Sequence, residues 1–413
     1  MVTVATSPLT AKNPAGLPSQ PQRIASVDIL RGVVMIIMAL DHTRDFFTSV
    51  RFSPDDMTHT NLPLFFTRLV THYCAPVFAF LAGTGAFLST RRGKSTEQIS
   101  RFFFTRGLWL VLLELTIVDF AWGFVPWVHG GVIWGLGLSM IAMSLIVRLP
   151  IGWIAALGVA MVTTHNLLDR INPASFGKLY WMWILIHTPG RIAITDHFAF
   201  SARYVLIPWV GVMAAGFAFG TLLLKPDRRR RVFMLGLALT TAFFVLRAVN
   251  IYGNGIAGLP FGYPRAAGPW SVQSTTTLTI ISFFNTLKYP PSLDYLLMTL
   301  GPALMLLGLL DVAKAERGFT RILVVFGRVP MFYYVLHLYV IHLLAIVVSV
   351  AYKQPILHGS VIADFAQKPA GYGHGLPFVY AMWLLAVTIL YLPCKWFMEF
   401  RASHRDWGWL SYL

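Results

Sequence analysis

Long apolar stretches separated by short polar segments make up most of the chain. A helix needs about 20 mostly apolar residues to cross the hydrocarbon core of a bilayer, and ten stretches approach this length. They are residues 24–48, 64–89, 102–125, 130–148, 151–168, 203–224, 231–250, 293–312, 324–350 and 376–397. The pattern predicts an all-α, polytopic transmembrane helix bundle of about ten spans. Shorter apolar pieces near 179–187 and 276–287 favour interfacial or re-entrant helices, and the second is the alternative eleventh span.

Composition excludes the water-soluble classes. Hydrophobic residues make up 56% of the 413 positions and charged residues 12%, about half of the ~25% that is usual in soluble domains. The mean hydropathy of +0.64 leaves too little polar surface to cover a soluble globule. We therefore expect one transmembrane domain over 23–400. Segment 1–22, rich in Pro, Ser, Thr and Ala, predicts a disordered cytoplasmic N-terminus, and 401–413 a cytoplasmic tail.

The formal net charge of +16 has a topological explanation. With both termini and alternate loops assigned to the cytoplasm, 21 of the 33 lysines and arginines fall on that side. Such an excess is typical of cytoplasmic loops, so both termini are predicted inside and no nucleic-acid partner is expected. Two cysteines, Cys74 and Cys394, cannot make a disulfide framework and are interpreted as packing residues.

The first span carries several ionisable residues, which are expensive in lipid and mark functional sites. At 100° per residue, Asp28, Arg31, His42 and Asp45 fall on one face, and Arg31 and His42 are about 16 Å apart along the axis. This polar stripe must face the protein interior or a wet cavity. One hypothesis makes His42 a general base that Asp41 or Asp45 orients, with Arg31 holding a phosphate or carbonyl oxygen. The alternative is a structural network of ion pairs.

Several motifs resemble known membrane acyltransferases. Asp28, Arg31 and Gly32, followed ten residues later by His42, resemble the first span of the acyltransferase family three, in which that histidine is catalytic. Residues 76–83, entered from Thr71 and His72, resemble the second span of the heparan-α-glucosaminide N-acetyltransferase catalytic-domain family. Residues 288–292 and 327–334 are similar to a bacterial branch of that family.

The resemblance implies transfer of an acyl group, acetyl above all, from cytoplasmic acyl-CoA to an amine or hydroxyl of an extracytoplasmic glycan. It also implies a multi-pass protein of a bacterial inner (plasma) membrane. His42 matches the catalytic histidine of family three. The heparan enzyme has an asparagine at that place and its catalytic histidine in the following loop, where this chain offers His59 at a different position. His42 is therefore favoured, and whether His72 assists is left open.

The remaining candidates each have a structural alternative. Arg68 and His72 share a face of the second span, for either substrate contact and catalysis or helix packing. Lys288 and Tyr289 either touch the acceptor or belong to a turn. Arg101 and Arg106 are interpreted either as ligands of the CoA phosphates or as ordinary positive-inside residues.

On the ninth span, Tyr334 and His337 share a face and either line a donor tunnel or hydrogen-bond in the core. The mid-span carboxylate Glu114 is expected to pair with Arg31 or His72. The sequence has no Gly-rich phosphate loop, serine elbow or Cys/His metal signature, and no metal cofactor is expected.

Two other function classes stay open at this level. The Asp28–Arg31–His42 stripe also suits a proton-coupled transporter or a flippase for lipid-linked glycans. A non-catalytic, glycan-binding membrane subunit is the third hypothesis. The sequence does not determine the acceptor or the oligomeric state.

Overall fold

The computed structural model describes residues 24–90, 93–125, 128–196, 198–254, 268–312, 318–404 and 406–412. The predicted disordered segment 1–22 lies outside the described residues. The described chain is mostly helical, as predicted. Its sixteen α-helices, α1 to α16, are Ala25–Phe47, Leu62–Thr71, Cys74–Thr90, Thr96–Leu113, Asp119–Ala121, Val132–Ile146, Ile151–Thr164, Tyr180–Ile186, Leu206–Phe219, Arg228–Val249, Thr276–Phe284, Leu293–Leu310, Gly318–Arg328, Pro330–Ala351, Ser360–Ala363 and Leu376–Ser403.

Seven helical stretches of the described chain are long and apolar enough to cross a membrane. They are Leu62–Thr90, Ile151–Arg170, Leu206–Leu224, Arg228–Val249, Leu293–Leu310, Pro330–Ala351 and Leu376–Ser403. Each matches one of the ten predicted spans. The other three predicted spans form helices too, but α1 and α4 carry too many charges and α6 has only 15 residues. The count of ten therefore stays a prediction.

Two boundaries differ from those expected. α11 has nine residues, about 14 Å of helix, so an eleventh span at 276–287 is wrong. The last helix, α16, runs to Ser403, three residues into the predicted C-terminal tail. A short helical turn, Gly408–Tyr412, follows it.

A small three-stranded sheet joins the loops at one end of the bundle. β1 (His129–Gly130) pairs in parallel with β3 (Ala199–Ala202), which pairs antiparallel with β2 (Gly190–Ala193). The hydropathy pattern predicted no strand, because strands of two to four residues are too short to produce a recognisable alternation.

α1 lies at the centre of the bundle, in contact with α3, α12, α13, α14 and α16. Sixteen of its 23 residues are buried, including most of its charged side chains. By contrast, the outer helices α7, α10 and α16 expose large apolar side chains, such as Trp153, Phe244 and Leu392. Apolar side chains on the outside and charges on the central helix suit a protein surrounded by lipid.

The predicted cytoplasmic end of α1 is in close contact with α13. A β-carbon at Gly32 would collide with the Leu323 carbonyl, and one at Gly327 with the Asp28 carbonyl. The two backbones therefore meet at glycines, as small residues allow in membrane bundles. Both glycines belong to motifs that carried the family resemblance, and in the fold they serve this helix crossing.

Replacing either glycine by alanine should destabilise the bundle. The added methyl group forces α1 and α13 apart, so Gly32→Ala and Gly327→Ala should each cost about 1–3 kcal/mol of unfolding free energy. Thermal unfolding in detergent measures this loss. Gly152→Ala is the matched control, because Gly152 is exposed on α7 with open space around its α-carbon. If the control lost as much stability as the other two variants, the close crossing would be disproved.

Candidate functional site

The ionisable residues of α1 divide into two groups rather than one stripe. At the N-terminal end, Arg31 Nη1 lies 3.5 Å from Asp28 Oδ1 and donates to the Gly327 carbonyl at 3.2 Å. Asp28 Oδ2 also lies 3.7 Å from Nε of Arg328. At the C-terminal end, Asp41, His42, Arg44 and Asp45 follow one another on two faces of the helix. All four members of the predicted stripe are buried or half-buried, as expected, but its two ends make separate sets of contacts.

His42 forms a direct pair with a histidine 295 residues away. Its Nδ1 lies 2.7 Å from Nε2 of His337, and Nδ1 of His337 lies 3.1 Å from the Tyr333 carbonyl oxygen. A carbonyl only accepts, so His337 Nδ1 carries a proton. In the neutral pair, His337 Nε2 then accepts from His42 Nδ1–H. This assignment, inferred from the hydrogen bonds, leaves the lone pair of the imidazole on His42 Nε2.

The ring of His42 lies in an aromatic chamber. Trp122 meets it edge to face with ring centroids 5.1 Å apart, and Tyr334 does so at 6.5 Å. His337 is fully buried, whereas His42 is only half-buried. None of the described residues hydrogen-bonds to His42 Nε2. This nitrogen is therefore the one in the histidine pair that is left without a partner.

Asp41 makes no hydrogen bond to His42 among the described residues, so its catalytic role stays a prediction. Its carboxylate accepts from Arg44 Nη2 at 2.6 Å, from Arg68 Nη1 at 2.8 and 2.9 Å and from the Thr71 hydroxyl at 2.7 Å. Asp45 likewise accepts from Arg44, at 2.9 Å. One residue along a helix turns the side chain by 100°, so Asp41 points away from the His42–His337 pair. Arg68, a predicted substrate contact, is a partner of Asp41.

Three other candidates lie in the same half of the protein. His72 is buried, with neither ring nitrogen hydrogen-bonded among the described residues, and it lies edge-on to Tyr295 at 5.3 Å, not against His42. The Lys288 ammonium lies 5.4 Å from the ring centre of Tyr289. Burial alone would raise the pKa of Tyr289, but the cations Lys288, Arg68 and Arg203 together lower it.

A cavity of about 290 Å³ lies within the bundle beside α1, with Arg31 and Met35 of this helix among its lining residues. Apolar side chains such as Met35, Phe78 and Leu110 line its body, and Tyr334, which faces His42, also lines it. Five cationic side chains line the cavity as well: Arg31, Lys94, Arg106, Arg328 and Arg401.

The cavity separates two residues that the sequence grouped together. Arg106 lines it and lies 5.7 Å from the ring centre of Phe102, whereas Arg101 is exposed and is not part of the lining. Lys94, Arg328 and Arg401 were not predicted as site residues. The only sequence signal that could have identified these three residues is the excess of lysine and arginine in the loops predicted to be cytoplasmic.

Glu114 has different partners from those expected. It accepts from the Ile133 amide at 3.1 Å and lies 3.8 Å from Nε2 of His129, not beside Arg31 or His72. The π-helical turn Glu114–Val118 changes the helical phase there, which a regular 100° projection does not anticipate. His129 also pairs with Asp119, so Glu114, Asp119 and His129 form a compact buried group.

A second buried group joins His165, Asp169 and His187. In each group, one potential ligand atom from every residue lies within 4.8 Å of the others, close enough to bind one metal ion together. The sequence pattern suggested neither group, although His165 and Asp169 are four residues apart, a spacing that places two side chains on one helix face.

The segment between α14 and α16 covers the C-terminal end of α1. The Lys368 ammonium donates to the Asp45 carbonyl at 2.7 Å, and the Tyr372 hydroxyl donates to the Phe46 carbonyl at 2.6 Å. Burial lowers the pKa of Lys368 to about 8 and raises the pKa of Tyr372 to about 12. These bonds satisfy carbonyls that a helix end leaves open, and they fix the turn that follows His42.

Asp41→Asn should destabilise the fold rather than act on the chemistry alone. Removing the charge leaves Arg44 buried beside Asp45 only, and breaking a buried ion pair costs about 3–5 kcal/mol. Thermal unfolding of the purified protein measures the loss. Asp227→Asn, at an exposed pair with Arg231, is the control and should leave the melting temperature unchanged. A fully stable Asp41→Asn protein would contradict the structural role.

One comparison with known proteins found a family match. A family model described as heparan-alpha-glucosaminide N-acetyltransferase, catalytic, matches residues 23–252. The match includes His42, Asp41, Arg68 and Arg106, and it ends before residues 288–292 and 327–334, which had also suggested that family. No curated protein matches the chain. The match covers more than half of the sequence, so the chain belongs to the heparan-alpha-glucosaminide N-acetyltransferase catalytic family.

Proposed function

We propose that this protein transfers an acyl group, acetyl above all, from acyl-CoA on the cytoplasmic side to an amine or hydroxyl of a glycan acceptor on the other side of the membrane. The observation that carries the proposal is the cavity lined by five cations and by Tyr334, whose ring centre lies 6.5 Å from that of His42. The family membership agrees with an acetyltransferase.

The cavity suits the donor in charge and in shape. CoA carries phosphates at one end and a thin, mostly apolar pantetheine arm that ends in the thioester. Arginine and lysine are the usual ligands of phosphate groups, and the apolar lining around Met35 and Leu110 suits the arm and the acyl chain. Eleven residues of helix separate Arg31 from His42, a rise of about 16 Å over which the arm would extend.

His42 is the proposed general base. Its Nε2 would take the proton of the acceptor amine or hydroxyl while the acceptor attacks the thioester carbonyl carbon. The carbon–sulfur bond then breaks, and the CoA thiolate leaves and receives the proton from His42. A variant of this route has Nε2 attack the thioester first and carry the acyl group to the acceptor. Both routes need the same unprotonated nitrogen.

His337 is the proposed positioning residue for His42. Its Nε2 accepts from His42 Nδ1–H and holds the imidazole in the tautomer that leaves Nε2 free. In serine hydrolases a carboxylate has this role. Here a second imidazole, itself held by the Tyr333 carbonyl, would do so without adding a negative charge to the interior.

Substitution of the two histidines tests this mechanism. His42→Ala should lower acetyl transfer by about 10²–10⁴-fold, because it removes the general base. His337→Gln should lower kcat and change its pH profile while the KM for acetyl-CoA stays close to the original value. Radiolabelled acetyl-CoA and glucosamine, with the purified protein in detergent, provide the assay.

His59→Ala is the matched control for this experiment. His59 is exposed, pairs only with nearby Asp56 and Thr58, and was the other histidine considered for catalysis. It should leave transfer unchanged. Full activity of His42→Ala, or loss of activity in His59→Ala alone, would overturn the assignment. CoA-independent flux of a glycan through the protein in vesicles would favour a transporter instead.

Two arginines on α4 test the donor site. Arg106→Gln should raise the KM for acetyl-CoA about tenfold, because it removes one charge-assisted contact to phosphate, worth ~1.5–3 kcal/mol. Arg101→Gln, one helical turn away and outside the cavity, should change that KM by less than about twofold. Equal effects of the two substitutions would argue against the cavity as the CoA site.

A further inference from the structure

A buried group of three side chains lies outside the proposed catalytic site. His165 and Asp169 belong to the helical turn His165–Arg170, which continues α7, and His187 follows α8. His165 and His187 are no more than 1% exposed, and Asp169 is 4% exposed. The proposed transfer reaction uses none of them.

The polar atoms of this group converge on one point. A nitrogen of each histidine and one oxygen of Asp169 all lie within 4.8 Å of one another. Nε2 of His187 lies 2.8 Å from Asp169 Oδ1, and the Asn166 amide donates to Asp169 Oδ2 at 2.9 Å. Two imidazoles and a carboxylate form a donor set typical of zinc and related divalent ions.

The group is also incompletely satisfied by the residues around it. Among the described residues, neither ring nitrogen of His165 makes a hydrogen bond, and Nδ1 of His187 makes none. The Pro291 carbonyl is near His165, and because a carbonyl oxygen only accepts, it would engage a single N–H and leave the other ring nitrogen of His165 without a partner. No lysine or arginine in the described chain pairs with Asp169. Buried imidazole nitrogens are normally hydrogen-bonded, and a buried carboxylate is normally paired with a positive charge. A bound cation would supply both kinds of partner.

We infer that His165, Asp169 and His187 bind a divalent transition-metal ion, with Zn²⁺ the best fit to this donor set. The other acidic group, at Glu114 and Asp119, is different, because each of its two carboxylates accepts a backbone amide, from Ile133 and His129 respectively.

The ion would join three separate segments of the protein. It holds the end of α7 to the turn after α8 through its ligands. Asn166, which contacts Asp169, also accepts from the Leu293 amide at the start of α12. The segment just before α12 carries Lys288 and Tyr289. The metal is therefore structural, and its binding does not depend on the transfer reaction.

Metal analysis of the purified protein tests the inference. Untagged protein, prepared without chelator, should contain stoichiometric zinc or a related metal by mass spectrometry. Metal-stripped protein should bind Co²⁺ and develop the visible absorption of a coordinated ion. His165→Ala should lower Co²⁺ affinity by at least ~10–100-fold.

Two variants identify the site. His59→Ala, exposed and distant from the three ligands in sequence, should retain the metal, and so should Glu114→Gln at the other buried group. Wild-type protein that neither contains metal nor binds Co²⁺ would overturn the inference, whether or not the variants fold. Retention of metal in His165→Ala with loss in Glu114→Gln, or retention in both, would overturn it as well.

Discussion

The burial of a charged helix in the middle of the bundle is the constraint on which the rest of the structure depends. α1 carries Asp28, Arg31, Asp41, His42, Arg44 and Asp45. A charge in hydrocarbon is so costly that such a helix crosses a membrane only when other helices surround it and supply partners. Neighbouring helices do so at both ends of α1, through Arg328 of α13 at one end and Arg68 of α2 at the other. The carboxylates are therefore engaged in ion pairs, whereas His42 pairs with His337.

The two ends of α1 then acquire different properties. Near Arg31, cations from four other positions of the chain line the cavity, and the charge suits a phosphorylated ligand. Near His42, aromatic rings and a second histidine surround the imidazole, and the environment suits a neutral base. The apolar body of the cavity lies beside this same helix. A single helix with a fixed rise per residue thus sets the spacing between the cation-lined part of the cavity and the His42–His337 pair.

The family match covers only part of the residues that surround α1. Residues 23–252 contain His42, the Asp41 network and Arg106, and they define the family. His337, Tyr334 and Arg328 come from α13 and α14, beyond the match, yet they are in contact with α1. The second part of the chain therefore completes a site that begins in the first. The glycines at the α1–α13 crossing bring the two helices together next to Arg31 and Arg328, which both line the cavity.

The sequence by itself determined the helical class, seven of the candidate spans and the family, and it drew attention to His42 and Arg31, whose roles stay proposals. These follow from local signals: apolar runs of fixed length, an ionisable residue in a hydrophobic helix, and a motif within one span. Only the tertiary structure decided that His337 rather than Asp41 hydrogen-bonds to His42, that Arg106 rather than Arg101 lines the cavity, and that Glu114 lies beside His129. Each of these depends on contacts between residues far apart in the chain, or on a helical phase changed by a π-helical turn. Helical periodicity gives the face on which a side chain lies, but the neighbouring helix that meets this face is set by packing.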